Sequence, residues 1–139
     1  MNTYEEKLQF VEEEVARMLR QARAPLQDLD DKLVAAVRES QSPAQVASGH
    51  VELLVKTTTR VWAFERFLDA VRMNRESETP AEVTFNHLET HTAQALIAAA
   101  TNTSSLNSSW TINATRAVEA NALADIARLF QDVRKISKN

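Results

Sequence analysis

Glycine and proline are scarce in this chain, and that scarcity limits the folds open to it. Only one Gly and three Pro occur among 139 residues. An all-β protein needs turn residues about every ten positions, and phosphate-binding loops use several glycines. The sequence therefore argues against sheet proteins and nucleotide-binding folds. Since hydrophobic residues are 44% and charged residues 25%, as in ordinary globular domains, we predict one helical domain spanning residues 1–139.

Helical periodicity runs through most of the chain. Thr3 and Glu6 have the spacing of a capping box, and we predict helices over 4–22, from Pro25, over 43–75, from Pro80, and at the C-terminus. The fold prediction is all-α: an antiparallel bundle of four to five amphipathic helices. Predicted inward positions in the second, fourth and last helices are Leu26, Leu29, Leu33, Val37, Phe85, Leu88, Thr92, Ala95, Ala99, Ala122, Ile126, Leu129, Val133 and Ile136.

A polar segment separates the last two predicted helices. Eleven of the fifteen residues 101–115 are Asn, Ser or Thr, whose side chains compete with a helical backbone for hydrogen bonds. The segment is either a loop or a frayed part of one long helix. We favour a break near residues 103–110.

An internal repeat links two predicted helix starts. Residues 42–52 and 79–89 align at an offset of 37, with identical Pro, Ala, Val, His and Glu. Each copy reads as a hydroxyl N-cap (Ser42 or Thr79), then Pro, then Gln or Glu at the third helical position. Shared capping accounts for part of the match. Duplication and chance remain open for the shared His and Glu.

Charge and cysteine content exclude several classes of protein. The chain has no Cys, and its net charge of −3 comes from residues 1–41, with nine acids against six bases. The absence of a basic cluster argues against nucleic-acid binding. No apolar run approaches the roughly 20 residues of a transmembrane segment, and the N-terminus has no apolar signal region. We expect a cytoplasmic protein.

Few residues have the spacing of a catalytic or metal site. His87 and His91 lie one helical turn apart, but Leu88 stands where a zinc-peptidase motif needs Glu. A third ligand would have to come from His50 or Glu52. No Ser lies in a Gly-x-Ser-x-Gly motif. We therefore expect no enzyme activity, no cofactor and no metal.

With these functions excluded, we expect the protein to act by binding a partner through its surface. Long amphipathic helices suit self-association or a partner helix, and the last helix has apolar residues at heptad-like spacing, so we expect a homo-oligomer. The acidic first helix suits a basic patch on a target. The candidate interaction surface comprises Glu12, Glu13, Trp62, Trp110, Leu129 and Val133.

Part of the sequence resembles the phasins, which coat polyhydroxyalkanoate granules. The resemblance lies in FLDAVR at 67–72, TPAEV at 79–83, QAL at 94–96 and the Ser-, Asn-, Thr- and Ala-rich stretch to Ala120. It implies a non-enzymatic coat protein on an apolar granule surface. The acidic first helix and the two earlier prolines depart from the phasin pattern. The alternative is a small acidic protein-interaction module (an adaptor, a chaperone or a mobile-element inhibitor) that binds a larger protein machine.

Overall fold

Six α-helices and one π-helical segment make up most of the described part of the chain in the computed structural model. The helices are α1 (Tyr4–Arg23), α2 (Leu26–Arg38), α3 (Pro43–Val46), α4 (Glu52–Glu76), α5 (Ala81–Asn102) and α6 (Trp110–Ser137), and the π-helical segment Ala47–Val51 joins α3 to α4. The structure describes residues 3–39, 42–102 and 110–137, with side chains except at 47, 48, 102 and 110–114. These residues contain no strand, which confirms the all-α prediction. The break predicted near 103–110 lies outside the described residues.

Of the three helix starts with a predicted hydroxyl cap, two use it. The backbone N–H of Glu6 donates to Thr3 Oγ1 over 3.1 Å. The backbone N–H of Gln45 donates to Ser42 Oγ, and the N–H of Ser42 donates to Gln45 Oε1, both over 3.3 Å. At the start of α5, however, the Thr79 hydroxyl bonds to Ser77 Oγ over 3.0 Å. The capping prediction is therefore confirmed at Ser42 and wrong at Thr79.

Four long helices, α1, α4, α5 and α6, form a bundle that contains two antiparallel pairs of helices. Arg75, near the end of α4, pairs with Glu5 at the start of α1 over 3.3 Å. Arg134, near the end of α6, pairs with Glu89 in the first half of α5 over 2.6 Å. Each of these two pairs of helices therefore runs antiparallel, as predicted.

Helices α4 and α6 lie side by side and run parallel. Arg60 pairs with Asp125 over 2.7 Å near the start of this contact, and Phe67 meets Phe130 further along both helices. The order around the bundle is α1, α4, α6, α5. Because α4 and α5 are consecutive in sequence but diagonal in the bundle, they contact each other little.

Aromatic rings from all four helices form a chain through the core. Tyr4 of α1 meets Phe85 of α5 at a centroid distance of 5.6 Å. Phe85 meets Phe130 of α6 at 5.0 Å, and Phe130 meets Phe67 of α4 at 6.0 Å. All three contacts are edge-to-face, which is the favoured geometry for aromatic pairs. We call these four residues the aromatic chain.

The predicted inward positions of α5 and α6 largely face the core. Those confirmed as buried are Phe85, Leu88, Thr92, Ala99, Ala122, Ile126 and Val133. Ile136 is exposed, and the buried Phe130 falls outside the predicted set. A helix with three neighbours buries a wider stripe than a two-stranded heptad contact does. The heptad-like positions of α6 thus pack within one chain and lend no support to the expected homo-oligomer.

Helix α2 lies outside the four-helix bundle. It packs against α4 and the π-helical segment and buries Leu29 and Ala36. Val37, which we predicted to face inward, is exposed. A helix that packs on the outside of a bundle through one side buries a narrow stripe, so the predicted stripe was too wide.

The turn between α4 and α5 has a left-handed residue. Glu78 has φ of 59°. Its N–H donates to the carbonyl of Arg75, and the N–H of Thr79 donates to the carbonyl of Asn74, each over 3.1 Å. These two bonds form a Schellman motif, whose left-handed position is usually Gly.

Truncation of the aromatic chain should destabilise the whole bundle. Phe130 is fully buried and contacts rings from two other helices. We expect Phe130→Ala to lower the free energy of unfolding by about 3–5 kcal/mol, measured by urea denaturation. The control is Ile97→Ala, because Ile97 is exposed; it should change stability by less than about 0.5 kcal/mol. Equal effects of the two changes would contradict the assignment of the core.

Glycine at position 78 should stabilise the protein. A side chain in the left-handed region costs about 1–2 kcal/mol, and Gly avoids that cost. We expect Glu78→Gly to raise the free energy of unfolding by about 1 kcal/mol, measured by thermal or urea denaturation. Glu78→Ala keeps a Cβ atom and should bring no such gain. If Ala stabilises as much as Gly, the effect does not come from the backbone conformation.

Candidate functional site

An apolar cleft opens between α4, α5 and α6. Its volume is about 220 Å³. We call it the Trp62 cleft, and its lining residues are Trp62, Ala63, Arg66, Phe67, Ala70, Leu88, His91, Thr92, Ala95, Glu119 and Leu123. The cleft exists because α4 and α5 are diagonal neighbours and because several residues of the lining are alanines.

Trp62 stands at the mouth of this cleft. Its side chain is 47% exposed, and the Arg66 guanidinium carbon lies 5.0 Å from its ring centroid. This is a cation–π contact between residues one helical turn apart. A shallower groove on α4 and α6, lined by Thr58, Thr59, Thr115 and Glu119, also borders Trp62. The indole is therefore flanked by two depressions.

Several arginines of the bundle form ion pairs between helices. Arg60, Arg75 and Arg134 each pair with a carboxylate of another helix. The hydrogen bond from Arg134 to Glu89 raises the pKa of Arg134 above its ordinary value. In the part of the chain that the structure describes, neither Arg66 nor Glu119 has an ion-pair partner. The cleft thus presents one positively charged and one negatively charged side chain, and neither forms an ion pair with a described residue.

Two buried threonines also lack side-chain partners. Thr84 is 1% exposed and Thr92 is 3% exposed, and neither hydroxyl makes a hydrogen bond to any described residue. By contrast, the hydroxyls of Thr58 and Thr59 donate to backbone carbonyls of their own helix over 2.9 and 2.7 Å. Thr92 lines the Trp62 cleft and Thr84 does not. A buried hydroxyl without a partner costs about 1–3 kcal/mol.

The acidic residues of the predicted interaction surface already have partners on the protein. Glu12 pairs with Arg75 over 3.3 Å. Glu13 is exposed and accepts a hydrogen bond from Gln9 over 3.0 Å. Glu12 is therefore partly neutralised within the bundle, while Glu13 keeps its charge at the surface.

The apolar residues of that predicted surface lie in different places. Trp62 is exposed at the cleft, as described above. Leu129 is half-buried against the core, and Val133 is fully buried. Val133 thus contributes to the core of one chain, and its inclusion in a surface is not supported by its position. The side chain of Trp110 lies outside the described residues.

The histidine pair lies at the surface of α5. The rings of His87 and His91 stack with their centroids 6.1 Å apart, and both residues are exposed. His50 lies in the π-helical segment at the other end of α4, far along the bundle from His87. Within the described residues, no three His, Cys, Asp or Glu side chains are grouped to hold a metal ion.

The sequence pattern assigned neither Arg66 nor Thr92 to a functional site. Arg66 follows Trp62 by one helical turn, and that spacing was a usable signal for a stacked pair. Periodicity placed Thr92 correctly on the inward stripe of α5. Whether its hydroxyl finds a hydrogen-bond partner depends on the side chains of the neighbouring helices. Only the packing of three helices shows that its hydroxyl has no partner among the residues that the structure describes.

The fold and the cleft together define a helical-bundle protein in which the exposed Trp62 stands beside an apolar opening. Comparisons with protein-family models, curated proteins and solved structures find no match for this chain. Among the described helices, none combines the length and the apolar character that crossing a membrane requires.

Removal of the two surface histidines should leave the fold unaffected. Since both imidazoles are exposed, we expect the double change His87→Ala, His91→Ala to alter the free energy of unfolding by less than about 1 kcal/mol. Added zinc should leave the melting temperature of the wild-type protein unchanged. Stoichiometric zinc in the purified protein, lost in the double variant, would show that the pair is a metal site.

Proposed function

We propose that this chain is a non-enzymatic helical binding protein: a small acidic protein-interaction module that binds a larger protein through the mouth of the Trp62 cleft. The observation that carries the proposal is the stacked pair of Trp62 and Arg66 at the edge of an apolar opening. Tryptophan and arginine are enriched among the residues that dominate binding energy at protein interfaces. Such residues act at the centre of an interface, next to pockets that a partner fills.

Burial of the apolar helix faces favours this function over a granule coat. A phasin-like coat needs a continuous apolar face that meets the granule. In this bundle the apolar faces of α5 and α6 pack in the core. The large exposed apolar side chains are spread over four helices: Val34, Val37, Leu53, Trp62, Met73, Val83, Ile97 and Ile136. Single exposed apolar residues are ordinary on protein surfaces.

Electrostatics supports a partner with a basic surface. The net charge is −3, and its excess lies in residues 1–41. Although Glu5 and Glu12 pair with Arg75, Glu13 and the acids of α2 remain exposed. Exposed acidic charge accelerates association with a basic partner. Added salt screens the charges and weakens this acceleration.

The proposal is tested by capture from cells of the species that makes the protein. Tagged wild-type protein should retain one defined protein, and Trp62→Ala should reduce its capture at least tenfold, because loss of a dominant interface residue costs about 2 kcal/mol or more. The matched control is Met73→Ala. Met73 lies on the same helix and is 62% exposed, but it is not part of the cleft.

A second measurement separates the two candidate functions. Purified protein is mixed with apolar polymer particles and centrifuged. An interaction module should stay in solution. If wild-type protein and both variants coat the particles equally, and no captured protein depends on Trp62, the coat function replaces the one proposed here.

A further inference from the structure

The interior of the Trp62 cleft combines an apolar wall with one unsatisfied polar group. Phe67, Leu88, Ala95 and Leu123 form much of the wall, and Thr92 is the 3% exposed residue whose hydroxyl has no partner among the described residues. Buried polar groups in native proteins nearly always have a hydrogen-bond partner. Because Thr92 lines the cleft, an occupant that carries a polar atom can supply the missing partner of its hydroxyl.

The size of the cleft limits its occupant to one aromatic group. An apolar cavity of about 150 Å³ holds a benzene molecule, and pockets for drug-sized ligands begin at roughly 300 Å³. The Trp62 cleft has about 220 Å³. It has room for a single ring with one further substituent.

On the proposed function, which this inference rests on, we propose that the Trp62 cleft receives the phenol ring of a tyrosine of the partner. The ring packs against Phe67 and Leu88, and the phenol hydroxyl forms a hydrogen bond with the Thr92 hydroxyl. A phenylalanine would leave that hydroxyl unsatisfied. A tyrosine has the apolar body and the polar tip that the lining requires, and tyrosine is among the residues that dominate binding at interfaces.

Charge at the mouth orients the backbone that carries this tyrosine. Arg66 and Glu119 lie on different helices of the lining and have no ion-pair partner in the described part of the chain. A partner segment with an acidic and a basic residue beside its tyrosine complements both. The partner is not a second copy of this chain, because the one tyrosine here is Tyr4. Its ring packs edge-on against Phe85 in the core.

Small molecules that mimic side chains test the inference without the partner. The probes are p-cresol, which mimics tyrosine, and toluene, which mimics phenylalanine. Binding to the whole protein is measured from amide shifts in ¹H–¹⁵N NMR titrations. We expect both probes to shift residues of the cleft and p-cresol to bind roughly fivefold tighter, as a net hydrogen bond of about 1 kcal/mol gives.

Two matched threonine variants separate the hydrogen bond from general packing. Thr92→Val keeps the shape and removes the hydroxyl, so the preference for p-cresol should disappear. Thr84→Val removes a hydroxyl that is equally buried but lies outside the cleft, so it should keep the preference. Both variants should raise the melting temperature by a few degrees, because each removes an unsatisfied buried group.

The outcomes that overturn the inference are distinct from those that overturn the proposed function. Equal affinity for the two probes in the wild type, or a preference for p-cresol that survives Thr92→Val, excludes a bond to this hydroxyl. Failure of both probes to bind excludes the pocket. If Trp62-dependent capture persists in any of these cases, the interaction module stands and only the tyrosine assignment fails.

Discussion

The aromatic chain holds the bundle together, because its rings join all four long helices in one continuous set of edge-to-face contacts. Tyr4, Phe85, Phe130 and Phe67 come from α1, α5, α6 and α4 in turn. Aliphatic residues of α1 and α6 pack around them. Helices α4 and α5 are diagonal neighbours, so their relative position depends on the ring of Phe130 in α6, which contacts Phe67 of α4 and Phe85 of α5.

The Trp62 cleft is a consequence of this packing. Large rings fill the core at Phe67, Phe85 and Phe130, while Ala63 and Ala95 stand where α4 and α5 face each other further along. The gap between α4 and α5 is therefore filled at the level of the rings and open at the level of the alanines. A binding site next to a rigid core needs little reorganisation when a partner binds, which lowers the entropic cost of association.

Some charged residues form ion pairs that join two helices, and others face the solvent. Arg75 and Arg134 join helices across the bundle, whereas Arg66 stacks on Trp62. Such exposed pairs contribute little to stability individually, but they favour one register of the helices. The Trp62 and Arg66 pair lies outside these networks, and it is the pair through which we propose that a partner binds. This division favours an interaction module over a surface coat.

The sequence by itself determined the helices and most of the residues that they bury. Periodicity predicted the stripe of α5 and three buried positions of α6, and capping chemistry predicted the starts at Thr3 and Ser42, because these effects act within one turn of helix. Only the tertiary structure decided that Thr79 is not a cap, that Phe130 is core and that Trp62 borders a cleft. Those outcomes depend on which helices become neighbours, and that depends on contacts between residues far apart in the chain. The Thr92 hydroxyl, which has no partner in the described part of the chain, is the clearest case, since its helix position was predictable and its surroundings were not.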